Sequence, residues 1–135
     1  MALVLFEEAA QNDLDEIWQI DVDAAAAIVV LMEEFQDSPE VADTLIKHGY
    51  HDYRDPAYSV SRFLELWHQG LNLYRLKFWD EDGSIVSYRI IYAHNPKTDC
   101  IHVLGIIHRN FNYDTSHPVV CRICSGYERL GIPTY

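Results

Sequence analysis

Residues 71–113, LNLYRLKFWDEDGSIVSYRIIYAHNPKTDCIHVLGIIHRNFNY, decide the fold. Asp80-Glu81-Asp82-Gly83 is a strong hairpin signal, and Asn95-Pro96-Lys97-Thr98-Asp99 marks a second turn, so the stretch reads as three consecutive antiparallel strands. Side chains alternate across a strand. Tyr74, Leu76 and Phe78 therefore share one face while Arg75 and Lys77 share the other; Tyr88, Ile90 and Tyr92 face one way while Arg89 and Ile91 face the other. The third run, Cys100 to His108, is almost wholly apolar and is expected to be the central, most buried strand, with Gly105 leaving room for a close neighbour. His108 and Arg109 close it, and Tyr113 follows four residues later. A strand carries such cations only on a face that meets solvent or an anionic ligand. That face, with Arg75, Lys77, Arg89, His108 and Arg109, is the candidate functional surface.

Upstream, residues 7–20 place Leu14, Ile17 and Trp18 at helical spacing one turn after Ala9 and Ala10, predicting an amphipathic helix. Residues 2–6 before it are a short strand or an arm. Asp21 is a plausible N-cap for a second helix rich in alanine, with Glu33 and Glu34 on its wet side. Ser38 and Pro39 supply an N-cap and a first helical residue for a further piece, which Gly49 ends. Residues 48–70 are dense in Tyr, His, Asp and Pro and read as an ordered loop, with residues 62–67 starting the sheet. Downstream, Pro118 opens a short final helix carrying Val119, Ile123 and Tyr127, and Gly131 and Pro133 end it. The resulting class is α+β: N-terminal helices packed on a small antiparallel sheet, then a short C-terminal helix. One domain covers 1–135, with a helical part at about 7–49, an irregular loop at 50–62, and the sheet and C-terminal helix at 63–132.

A chain of 135 residues that is 49% hydrophobic and 13% aromatic buries a core without staples. The apolar opening, residues 2–6, is too short for a signal core, and the nine apolar residues 24–32 fall far short of a membrane span, so the expected location is cytoplasmic. Three cysteines form no disulfide framework. His117, Cys121 and Cys124 have ligand-like spacings, but on a helix the two cysteines share a stripe with Tyr127, and the apolar-core reading is favoured over zinc. The sequence calls for no metal and no cofactor.

The net charge of −11 is unevenly spread. Residues 1–55 hold fourteen acidic groups against Lys47 and Arg54, giving −12, while residues 56–135 hold seven against eight, giving +1. The strand region is thus near neutral overall, and total charge does not exclude a nucleic-acid partner.

The ordered set YRLKFW, SYRIIYA and LGIIHRNFNYD, preceded by two helices, resembles the RelE/ParE superfamily of toxin-antitoxin toxins over most of the chain. The resemblance implies the toxin component of a type II module, an endoribonuclease that cleaves mRNA, in some members on the ribosome, by attack of a ribose 2′-hydroxyl on the adjacent phosphate. Carried over, Arg75 and Lys77 match the paired basic positions of the hairpin strand, Arg89 the basic residue of the next, Arg109 the arginine ending the last, and Tyr113 the C-terminal tyrosine. Lys77, Arg89, Arg109 and Tyr113 are then the catalytic set, and Arg75 and His108 phosphate-binding groups. Arginine and lysine would offset charge developing on the phosphate oxygens, Lys77 and His108 stay open as acid or base, and Tyr113 would stack on a base. The implied partners are mRNA, the ribosome, and a cognate antitoxin segment that folds on binding, for which the acidic helices offer a surface. The sequence departs from the pattern in having Arg75 where lysine is common, a long segment at 48–70, and marked acidity. Two other readings stand beside the nuclease: a gyrase inhibitor of ParE type, and a non-toxic partner-binding or assembly protein. In either of those, the same cations serve as a solvated sheet face or pair with the acidic helices.

Overall fold

The computed structural model describes residues 2–53, 57–110 and 116–133. The elements are β1 (Leu3–Phe6), α1 (Glu8–Ile20), α2 (Val22–Asp37), α3 (Pro39–Ala42) continuing into a 3-10 turn (Asp43–Ile46), β2 (His51–Asp52), β3 (Tyr58–Arg62), α4 (Leu64–Trp67), β4 (Leu73–Phe78), β5 (Tyr88–Asn95), β6 (Cys100–His108) and α5 (Pro118–Arg129). The strands form one six-stranded sheet in the order β1-β6-β5-β4-β3-β2. This is the expected α+β arrangement, with a larger sheet than the sequence suggested. The β4-β5-β6 meander is antiparallel, and β1 joins its edge in parallel with β6. The segment expected as an irregular loop holds β2 and β3, which extend the other edge. Arg62 ends β3 rather than opening the sheet, and residues 64–67 form a single helical turn.

Local signals act where they were expected. Asp21 Oδ1 accepts from the Ala24 N–H at 3.1 Å and caps α2. Ser38 Oγ accepts from the Val41 N–H, with Pro39 at the first position of α3. Gly83 takes φ +79° in the β4-β5 turn, a conformation that costs glycine little. In α1, Ala10, Leu14 and Ile17 are buried, but Trp18 stays partly exposed.

The pleat sorts the sheet's side chains into two cores. Tyr74, Leu76, Phe78, Ile90 and Tyr92 pack under α1 and α2 with Ile28, Leu31 and Phe35. On the opposite face Leu73, Ile91, Ala93 and Ile107 pack against Phe63 and Leu66 of the α4 region and against Val120, Ile123 and Tyr127 of α5. Three tyrosines fasten the first layer to the sheet. Tyr92 Oη donates to the Leu45 carbonyl at 2.6 Å, Tyr74 Oη to the Ile46 carbonyl at 3.3 Å, and Tyr58 Oη pairs with Thr44 Oγ1 at 2.7 Å. Burial pushes the Tyr58 hydroxyl up to about 12 and the Tyr92 hydroxyl well above its ordinary value, so both remain protonated through neutral pH.

Gly105 has its space filled by α5: a Cβ there would stand 3.2 Å from Arg122 Nη2 and 3.3 Å from Ile123 Cδ1. Arg122 continues past the sheet to Asp13 of α1, making a bidentate pair at 3.0 and 2.7 Å. The same carboxylate accepts the Ile106 N–H at 3.0 Å, beyond the point where β1 stops pairing with β6. One side chain thus satisfies an edge amide and ties the two helical layers together.

Asp13→Ala leaves that amide and the guanidinium without their acceptor. It is expected to lower the unfolding free energy by roughly 2–3 kcal/mol, while Asp13→Asn, which keeps an acceptor for Ile106, costs about half as much. Urea denaturation of the three proteins checks this; equal stability would show that the clamp contributes nothing.

Candidate phosphate-binding groove

α5 covers only part of the second sheet face. Beyond it, Ser59, Ser61, Arg75, Lys77, Arg89 and Arg109 line one groove of about 290 Å³. Strand register brings them together. Ser61 lies opposite Arg75, Arg75 opposite Ile91, and Ile91 opposite Gly105, forming a transverse row that ends under α5. The next row holds His51 opposite Ser59, Ser59 opposite Lys77, and Arg89 opposite Ile107. Rows on one face are about 7 Å apart and strands about 4.8 Å apart, so these heads fall within reach of one phosphodiester and its neighbours.

Arg109 owes its place to an irregularity. The register shifts between Ile91 and Tyr92 of β5, where Ile91 faces Gly105 but Tyr92 faces Val103, so Leu104 is an extra residue in β6. Val103 lies in the first core, Leu104 in the second, Ile106 in the first and Ile107 in the second. An unbroken alternation from Val103 would send residues 107 and 109 toward the α1 layer. The bulge sends Ile107, and with it Arg109, to the groove face instead, and the Arg109 N–H donates to the Ser87 carbonyl at 2.7 Å.

The same parity places His108, expected as a phosphate-binding group, off the groove face, apart from the four cations. His108 lies opposite Tyr88, on which its ring packs edge-on at 5.3 Å, and it borders a separate cavity with Asp13 and Glu16. Its Nδ1 accepts the Asn110 N–H at 3.2 Å. Tyr113 lies outside the described residues.

The groove's cations are held by the protein in different ways. Arg89 Nη1 donates to the carbonyls of Val86 and Tyr88, both at 3.1 Å, which fixes the guanidinium against the strand. Arg75 Nε donates to Ser61 Oγ at 3.4 Å. Lys77 is exposed, its Nζ 5.4 Å from the centroid of the Trp79 ring. Among the described residues Lys77 and Arg109 form no ion pair. Among the described residues nothing acidic lines the groove, which gathers four cations and two hydroxyls.

Ser59 and Ser61 were not singled out from sequence, although YSVSR at 58–62 carries the signal: Tyr58 and Val60 are buried, and the serines alternate with them. Elsewhere, Cys124 packs on the second core as expected, but Cys121 is exposed. Among the described residues no group of three or more His, Cys, Asp or Glu is placed to hold a metal ion. No helix among them is long and apolar enough to cross a membrane.

An oxyanion that binds in the groove would stabilise the folded chain by about 1.4 kcal/mol at ten times its dissociation constant. Thermal unfolding in phosphate against chloride at matched ionic strength should show a larger gain for the wild type than for a Lys77→Ala/Arg109→Ala variant. Equal gains would mean that phosphate acts only through general exclusion and not at this groove. Comparisons with protein-family models, characterised proteins and solved structures find no match to the chain.

Proposed function

We propose that the groove binds the backbone of single-stranded RNA and that the chain is an endoribonuclease of RelE type, the toxin of a type II toxin-antitoxin module. The observation that carries this reading is the convergence of Arg75 and Lys77 of β4, Arg89 of β5 and Arg109, just past the end of β6, on one groove. Phosphodiester cleavage by this route needs little covalent participation from the protein. The 2′-oxygen bonds to phosphorus and loses its proton, the bond to the 5′-oxygen breaks, and that oxygen takes a proton, leaving a 2′,3′-cyclic phosphate and a 5′-hydroxyl. Charge accumulates on the non-bridging oxygens, where fixed guanidinium groups are most effective.

The net acidity fits this reading once its location is considered. α1 and α2 pack on the sheet face opposite the groove, and they carry most of the acidic residues of the N-terminal portion. Their outer surfaces stand more than a helix diameter of about 10 Å from the sheet, whereas the Debye length at physiological salt is about 8 Å. The groove thus presents local positive charge to a polyanion while the acidic layer faces away. That layer provides a surface for a basic antitoxin segment.

Induction of the wild type in a bacterium is expected to arrest growth and create new mRNA 5′ ends, and Arg109→Ala is expected to relieve both. Arrest of equal strength in the variant would take Arg109 out of the mechanism. Arrest with altered DNA supercoiling and intact mRNA would replace the nuclease reading with gyrase inhibition. Harmless expression of the wild type without its antitoxin would favour a partner-binding protein.

A further inference from the structure

Next to the cationic groove lies a second cavity, of about 330 Å³, lined by His51, Tyr53, Ala57, Trp79, Asp80, Glu81 and Gly83. The two cavities meet along the sheet. His51 of the second lies directly opposite Ser59 of the first, and Lys77 of the first holds its ammonium over the Trp79 ring of the second. Three aromatic rings are gathered there. His51 sits 5.2 Å from Trp79 and 4.1 Å from Tyr53, at interplanar angles of 52° and 34°. Tyr53 is 86% exposed, so a large aromatic ring is offered to solvent at the end of β2, packed on His51 among the described residues. Core packing does not account for that ring.

The polar lining of the cavity contrasts with that of its neighbour. Among the described residues the groove is bordered by four cations and no acid, while the second cavity is bordered by Asp80 and Glu81 and by no lysine or arginine. Asp80 Oδ1 is engaged by the Asp82 and Ser84 N–H groups at 3.0 and 2.9 Å, which leaves Glu81 as the more available acceptor. Carboxylates repel a phosphate but accept hydrogen bonds from the amino and imino groups of a nucleobase. An aromatic wall with an acidic rim, beside a cationic groove, has the chemistry of a nucleotide divided into its parts.

We propose that this cavity is a nucleobase subsite, in which one base of a single-stranded RNA stacks on the Tyr53, His51 and Trp79 cluster while its phosphate lies among Arg75, Lys77, Arg89 and Arg109. The subsite rests on the phosphate-binding reading of the groove. Stacking on aromatic rings is tolerant of base identity. The acidic rim adds acceptors for base amino and imino groups, and adenine, the larger ring system, stacks more strongly than uracil.

The test uses the full chain and three single-stranded RNA hexamers: oligo-A, oligo-U and an abasic hexamer of equal charge, each titrated at fixed salt. Stacking contributes about 1–3 kcal/mol per base, so oligo-A is expected to bind the wild type at least about fivefold more tightly than the abasic strand, and more tightly than oligo-U. Tyr53→Ala, whose exposed ring contributes nothing to the core, should lose most of this advantage and bind the abasic strand as the wild type does. Tyr53→Phe should restore the advantage. Equal binding of oligo-A and the abasic strand by the wild type would overturn the subsite while leaving the phosphate groove intact. An oligo-A advantage unchanged in Tyr53→Ala would place base recognition elsewhere. Failure of every strand to bind would overturn the groove reading itself, and with it the subsite.

Discussion

The pleat of β4 and β5 imposes the constraint on which the rest depends: every second side chain of each strand must be buried under α1 and α2, and the others must find cover on the opposite face. α5, together with the turn of α4, supplies that cover only at the end where Leu73, Ile91 and Ala93 lie. Toward the other end the alternate positions are Arg75, Lys77 and Arg89, which meet solvent. The cationic groove and the second core are therefore one sheet face, divided by how far the C-terminal helix extends. Lengthening the cover would remove the site; shortening it would expose the core.

The bulge at Leu104 completes this division. It lets β6 bury Ile101 and Val103 on one side and Ile107 on the other, and it turns Arg109 toward the groove while His108 goes to Tyr88. A bulge next to a functional surface commonly re-aims a side chain. Here the cost is an unpaired edge, since β1 covers only residues 100–103 of β6, and the Asp13 carboxylate with its Arg122 partner closes part of the remainder. The fold's principal polar clamp and its principal cationic site are both consequences of the same strand's geometry.

Much of this was legible from residue order. Turn chemistry at residues 80–83 and 95–99 located the meander, and period-two alternation put Arg75, Lys77 and Arg89 on one face. What escaped is what alternation cannot encode. The placement of His108 depended on a bulge, which has no local marker stronger than Gly105. β1 is only four residues long and its pairing with β6 is parallel and distant in sequence, so nothing nearby specifies it. β3 was obscured by the surrounding Tyr, His, Asp and Pro, although its Tyr58 and Val60 alternate with serines as a half-buried strand should. His51 carried no signal of its own; its position follows only from the pairing of β2 with β3.

Side-chain resonances report directly on whether Arg75, Lys77, Arg89 and Arg109 act as one anion site. Nitrogen-proton spectra of the Arg75, Arg89 and Arg109 guanidinium groups, with the Lys77 ammonium, would be recorded while a short single-stranded RNA is added. The prediction is that all four shift together along a single saturation curve, with the Arg122 guanidinium, held by Asp13, unmoved. Shifts confined to one of the four, or spread equally over Arg122 and Arg129, would show that RNA meets the protein only as a diffuse polyanion and that the groove is not a site.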